Sequence, residues 1–320
     1  MSDPLVSVLI RSLDRPTLDR ALASVAVQDY PAIEVVVIAA ATGHRDLGDR
    51  CGAFPLRLIR SATPLARAEA GNVALEAARG DWFNFLDDDD ELLPAHVSRL
   101  RAALDANPDV RLAHSISEDV DASGRVVGLQ GGRFRPWRQL DTGFFRAHCA
   151  MFAGSLLDDG ASFDPRFELL EDMDFFIQCA GRTPFAFVEE VTARTHVDAG
   201  ESGAGGASRD PARLEAALKL LREKWADLDR RMRATPEFRA EHALWLIDGG
   251  AFDAAVPIVV ELLRERPDWP DALTLRALQL VARGDIERAR NVLERIGGTP
   301  TIAALAGKLD QLRRRLATVH

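Results

Sequence analysis

Apolar positions in the first two thirds of the chain fall into short unbroken runs, separated by stretches with helical spacing. Leu5 to Ile10 and Ile33 to Ala39 alternate little and are rich in β-branched residues, as strands buried on both faces are. Leu56 to Arg60 reads as a shorter strand of the same kind. After the turn Arg11 to Pro16, Leu18, Ala21, Leu22 and Val25 fall on one helical face. Leu65 to Arg79 is built of strong helix formers, with Gly80 in the C-cap position. Pro94 to Ala106 predicts another helix, ended by Asn107-Pro108, and Val110 to Ile116 another strand. Short connections between alternating strands and helices predict a parallel, right-handed doubly wound sheet.

Farther on, 117 to 140 carries hairpin and loop signals, with turns at Ser123-Gly124 and Gly131-Gly132. Phe163 to Phe167 reads as an extended or turn element. In Glu171 to Gln178 the acids come first and the apolar residues behind, the order a helix N-terminus prefers. Val191 to Val197 predicts a strand with His196 near its end, and Gly200 to Ser208, rich in Gly and small residues, a mobile loop.

Beyond Pro211 the pattern is helical throughout. Leu214, Leu218, Leu221, Trp225, Leu228 and Met232 form one apolar seam. Gly250-Ala251-Phe252-Asp253-Ala254-Ala255 recurs as Gly284-Asp285-Ile286-Glu287-Arg288-Ala289 at an interval of 34 residues, the period of a tetratricopeptide-like helix pair. Pro267 stands where such a repeat ends its second helix, and Thr301 to Leu316 supplies a capping helix. The expected organisation is an α/β domain over 1–208, a connecting helix over 209–234 and a helical domain over 235–320. Such helical modules bind a protein partner or a second subunit.

The chemistry concentrates at Trp82 to Pro94, where an aromatic-rich strand runs into five consecutive acids, Asp87 to Glu91. Burying an unpaired carboxylate is very costly, and ligands of open α/β sheets bind at the carboxyl ends of strands, so a divalent cation is the expected partner. The alternative is a solvated acidic loop. Composition narrows the rest: 47% hydrophobic and 28% charged residues describe an ordinary globular protein, and a net charge of −9 argues against a nucleic-acid partner. Cys51, Cys149 and Cys179 are odd in number and lack metal-type spacing, which suits reduced thiols in the cytoplasm. No apolar stretch approaches the roughly 20 residues of a membrane span, and the N-terminus lacks a signal peptide's basic start. A cytoplasmic protein, at most peripheral to the inner membrane, is expected. Between Arg11 and Pro16 there is no Gly for a nucleotidyltransferase phosphate loop, and Ser202 is not in a Gly-x-Ser-x-Gly elbow.

Several segments, taken in order, carry a family resemblance. They are Val6-Ser7-Val8-Leu9-Ile10, the helix entry after Pro16, Gln28-Asp29-Tyr30-Pro31 before Ile33 to Val37, Asn72 ahead of Gly80, Phe85-Leu86-Asp87-Asp88-Asp89-Asp90, and Glu171-Asp172. Together they make residues 5 to 200 resemble an inverting glycosyltransferase of family 2, with the Rossmann-like GT-A fold. The resemblance implies a nucleotide-sugar donor, a saccharide or protein acceptor, and a role in bacterial surface polysaccharide or glycoconjugate synthesis. It assigns Asp89 as metal ligand and Asp87 to ribose or metal, with Mn²⁺ or Mg²⁺ as the ion, and it gives His196 a further metal or diphosphate contact. Asp172 matches the acid that takes the acceptor proton, with Glu171 to orient it and Asp174 or Glu168 next in line. Arg11, Ser12, Leu13, Asp14, Arg60, Arg67, Asn72 and Asp88 would meet the donor.

The departures from the family pattern have consequences too. Ala39 and Ala40 stand where relatives carry an Asp pair that holds the base, Leu13 replaces a stacking aromatic, Arg11 a Pro or Thr, and Gly71 an Arg. They leave the base open and point to Arg11, Arg60 and Arg67 as grips on the diphosphate. A degenerate domain serving as a scaffold for the helical module is the competing reading.

Overall fold

A computed structural model of the chain describes residues 3–132, 145–198 and 210–317, and its contacts divide into two compact units, Met1–Lys224 and Trp225–His320. The predicted loop at Gly200 to Ser208 and the end of the predicted 117 to 140 segment lie outside the described residues. Among those residues no helix is long and apolar enough to cross a membrane.

The first unit is built on one mixed sheet. Its strands are β1 Val6–Ser12, β2 Ile33–Ala39, β3 Arg50–Cys51, β4 Phe54–Arg60, β5 Trp82–Asp87, β6 Glu91–Leu92, β7 Leu112–Val120, β8 Val126–Gln130, β9 Ala150–Ala153 and β10 Phe185–His196. They lie in the order β3-β4-β2-β1-β5-β9-β7-β10-β6, with β8 paired to β7. The expected parallel sheet holds for β4-β2-β1-β5 and again for β7 with β10. Around β9, which pairs antiparallel with both β5 and β7, it does not hold.

The unbroken apolar runs exist because both sheet faces are covered. Val6, Val8, Ile10, Val35 and Val37 meet helices α1 (Leu18–Ala26) and α3 (His96–Asp105), with α2 (Arg67–Ala77) lying between these two in sequence. Leu9, Val36, Ile38, Phe83 and Phe85 meet α2, the short α4 (Ser155–Asp158) and α5 (Glu171–Ala180) on the other face. With alternate side chains pointing to opposite faces, neither set can be polar. The last helix of the unit, α6 (Pro211–Lys224), is tied to it by the Lys224 ammonium, which donates to Asp164 and to the buried Asp174, both at 2.8 Å.

Gly80 is not a helix cap. The α2 helix ends at Ala77 with an extended Ala78, and Gly80 lies against β1, where a Cβ would come within 2.7 Å of the Leu5 carbonyl oxygen and the Ser7 hydroxyl.

The second unit is all helix: α7 (Ala226–Ala234), α8 (Pro236–Asp248), α9 (Phe252–Glu265), α10 (Pro270–Ala282), α11 (Ile286–Glu294) and α12 (Ala303–Ala317). Where one connecting helix is expected over 209–234, the chain forms two helices separated at Trp225. The 34-residue interval is a repeat of structure: Pro236 and Pro270 occupy the first helical turn, and Gly250 and Gly284 turn the chain with φ of 78° and 77°. Buried Leu244, Val259, Leu262, Leu275 and Leu305 bring α8, α9, α10 and α12 into one core.

Candidate active site

The parallel register sets the site. Arg11 on β1 lies beside Ile38 on β2 and Asp87 on β5, so the carboxyl ends of three adjacent strands open at one edge. The order in which the chain adds strands reverses there, with β2 on one side of β1 and β5 on the other, which is where open α/β sheets form a crevice. An open cleft lies at this point, lined by Arg11, Ser12, Leu13, Arg15, Ala40, Leu65, Arg67, Ala70 and Asp87 to Asp89.

The acidic run does not splay into solvent, and the protein supplies cations of its own that pair part of it. Arg11 donates to Asp87 at 2.7 Å and to Glu171 at 2.7 Å, and Arg67 donates to the same Glu171 oxygen at 2.9 Å. One buried guanidinium therefore joins the end of β5 to the start of α5. Asp88 accepts the Leu13 backbone N–H at 2.8 Å and pairs with Arg15 at 3.2 Å, while Asp89 pairs with Arg15 at 3.3 Å. Asp90 pairs with His148 Nδ1 at 2.9 Å. The run is still under-compensated: six carboxylates (Asp87 to Asp90, Glu171 and Asp172) face three guanidiniums and the imidazole of His148.

Titration follows the pairing. Burial would raise Asp87 and Glu171, but Arg11 and Arg67 outweigh it and hold both below the usual carboxylate range. Asp89 has the weakest partner. Burial first, then the carboxylates of Asp90, Asp87 and Asp88, push it up to about 7. Asp172 is raised by burial and by the charge of Glu171. Ligand oxygens of Asp87, Asp89 and Asp90 all lie within 4.8 Å of one another. Hard oxygen donors in a group short of positive charge fit Mg²⁺ or Mn²⁺.

Backbone strain also marks the cleft. Asp14, at φ 61°, and Leu170, at φ 63°, are the non-glycine residues with left-handed backbone among the described residues, and they flank the β1 loop and the start of α5. Leu170 turns the chain so that Glu171 and Asp172 open the helix. Asp172 accepts the Met173 N–H at 2.9 Å.

Not every expected residue reaches the cleft. Asp14 holds the neighbouring loop instead, accepting the Arg45 N–H at 2.8 Å, while Ser12 lines the cleft with its hydroxyl 3.0 Å from His44 Nε2. Leu13 lines the cleft and is 47% exposed. Arg60 does not line it, because its guanidinium donates to the carbonyls of His44 and Arg45. Asn72 exchanges two hydrogen bonds with the backbone of Phe163, at 2.8 and 2.9 Å. Gly71 has the same neighbour, and a Cβ there would come within 2.7 Å of the Phe163 ring. His196 pairs with Glu91 at 2.6 Å, outside the Asp87, Asp89 and Asp90 group. Three residues went unread in the sequence: Arg15, Asp90 and His148. Arg15 and Asp90 lie inside quoted segments, but nothing around His148 signals a role.

Residues 7–159 match the model of glycosyl transferase family 2. Over those residues the first unit is thus similar to family 2 glycosyltransferases, and its fold is of the GT-A type. An uncharacterized glycosyltransferase of Haemophilus influenzae is 27% identical over 111 residues, covering 34% of this chain and 38% of that protein. A second, from Methanocaldococcus jannaschii, is 23% identical over 206 residues, covering 59% of this chain and 70% of that protein. Among solved structures, Staphylococcus aureus TarS 1–349 in complex with UDP-GlcNAc aligns with a TM-score of 0.57 at 16% identity, covering 98% of this chain and 90% of that one. The Pyrobaculum calidifontis mannosyltransferase PcManGT, in complex with GDP-Man and Mn²⁺, aligns at 0.51 with 18% identity, over 99% and 88%.

Proposed function

We propose that the protein transfers a sugar from a nucleoside-diphosphate donor to a saccharide or protein acceptor with inversion, in glycoconjugate or surface polysaccharide synthesis. The observation that carries this reading is the Arg11 bridge, which ties Asp87, in the lining of the cleft, to Glu171 at the start of α5, next to Asp172. The names of the neighbours, one with UDP-GlcNAc and one with GDP-Man, support a nucleotide-sugar donor and leave its base open.

In this reading the diphosphate lies over Asp87 to Asp89. A divalent cation held by Asp87, Asp89 and Asp90 would supply the Lewis-acid charge that the departing diphosphate needs. Arg15 and Arg67, at the rim of the cleft, add hydrogen bonds to the anionic oxygens. Asp172, at the start of α5, takes the proton of the attacking hydroxyl. Its raised pKa suits a base, since proton transfer is efficient when base and working pH are matched. Glu171, fixed by two guanidiniums, sets the direction in which Asp172 faces. Acceptor or partner recognition belongs to the repeated helices of the second unit.

Asp172→Asn tests the assignment. Donor affinity should stay within about threefold of wild type while turnover falls by about a thousandfold or more, the loss of a general base together with the geometry it sets. Retained transfer would move the base elsewhere. The donor is found by thermal shift across a panel of nucleotide sugars with and without Mn²⁺, because a ligand held by the folded form raises its melting point. A chain that binds a donor and transfers to no acceptor would instead support the scaffold reading.

A further inference from the structure

Asp90 is buried, its backbone N–H donates to the Asp87 carbonyl and closes the turn after β5, and its carboxylate pairs with a histidine from a distant part of the chain. His148 lies in a short 3₁₀ turn, Ala147–Cys149, and is 3% exposed. Each side of it is fixed. Its backbone carbonyl accepts the Asn84 side-chain N–H at 3.0 Å, which anchors the turn to β5 itself. Its Nε2 faces the hydroxyls of Ser117 on β7 and Thr195 on β10, at 3.4 and 3.5 Å. Hydroxyls on that side and a carboxylate on the other put the Nδ1 hydrogen toward Asp90. The ring is thus a strut running from two interior strands to one oxygen of Asp90, whose carboxylate also belongs to the group formed with Asp87 and Asp89.

We propose that His148 is the positioning residue of the cation site: by holding Asp90 it makes Asp90, and not His196, the third protein ligand beside Asp87 and Asp89. The inference rests on the cation reading above. A histidine that orients a ligating carboxylate governs how well the ion is held, and losing such outer partners costs about 10- to 100-fold in metal affinity. His196 is engaged with Glu91 at 2.6 Å and adds nothing to the shared space.

The test is direct Mn²⁺ binding by the full chain, read from the EPR signal of the free ion, with and without UDP or GDP. Turnover plays no part in it. In His148→Asn the amide N–H stands close to where Nδ1 stood, whereas in His148→Gln it stands where Nε2 stood. His148→Gln should weaken Mn²⁺ binding by about tenfold or more, and His148→Asn should return it to within about threefold of wild type. Equal melting temperatures of these two variants without metal would assign the difference to orientation. Asp90→Asn should lose as much as His148→Gln, while His196→Asn keeps wild-type affinity. Wild-type binding by His148→Gln or by Asp90→Asn would overturn the proposal, as would a loss confined to His196→Asn. If His148→Gln does not fold, Asp90→Asn still decides. A wild-type chain that binds no Mn²⁺ with or without a nucleotide would sink the cation reading itself, and this proposal with it.

Discussion

Asp89 is the residue on which the charge imbalance of the cleft falls. Its carboxyl is pushed up to about 7 by burial and by three neighbouring carboxylates, against one contact with Arg15 at 3.3 Å. Without metal the folded protein therefore holds a proton that the unfolded chain, with an ordinary carboxyl near 3.8, releases much earlier. Stability from this group is present at acidic pH and is lost as pH rises from about 4 to about 7, the reverse of the usual salt-bridged aspartate. Asp89→Asn removes the penalty. In EDTA at pH 8 it should be more stable than wild type by up to about 4 kcal/mol, three pKa units at 1.36 kcal/mol each. The advantage should shrink toward zero near pH 4. Urea melts of both proteins at several pH values measure it, and a wild type whose stability does not fall between pH 5 and pH 8 would refute it. Added Mn²⁺ should reverse the order, since wild type gains the stabilisation of a bound ion and the variant loses a ligand.

At the scale of the element, α2 makes its contribution through what it clamps. Asn72 and Gly71 meet Phe163 together, one by two hydrogen bonds and one by close approach. Phe163 in turn stacks on Phe175 of α5 with ring centroids 4.7 Å apart, so the clamp sets the helix that begins with Glu171-Asp172. Asn72→Ala should destabilise the protein by about 1–3 kcal/mol, the cost of leaving backbone polar groups without partners, while donor affinity stays near wild type. A large loss of donor affinity with unchanged stability would restore Asn72 to the cleft. The same element shows how far the sequence could be read. Asp87 to Asp89 and Glu171-Asp172 stood out as candidates because strand period, acid run and helix-start order are local signals. The roles of Asn72, Arg60 and His196 were not, since each depends on a partner distant in sequence: Phe163, His44 and Glu91. The antiparallel β9 was missed for a related reason. Its four residues, Ala150–Ala153, are an unmarked apolar stretch whose direction is set by β5 and β7.

At the scale of the molecule, the acidic cleft and the helical repeat lie in separate compact units, so a change confined to the second should leave the first unit's ligand affinities alone. Asp271 allows the comparison. It is fully buried at the start of α10, and its carboxylate accepts the Thr301 N–H at 2.9 Å, the Thr301 hydroxyl at 3.0 Å and the Ile302 N–H at 2.7 Å. These bonds hold the entry to α12 against the repeat. Asp271→Ala leaves three donors without that acceptor and should cost the helical unit about 3 kcal/mol or more. The helix signal at 222 nm should then melt earlier, and affinity for Mn²⁺ and donor at the cleft should match wild type. If the repeat presents the acceptor, transfer to that acceptor falls while hydrolysis of the donor by water continues at the wild-type rate. Equal loss of both would remove the helical unit from acceptor recognition and make it a structural support of the catalytic domain.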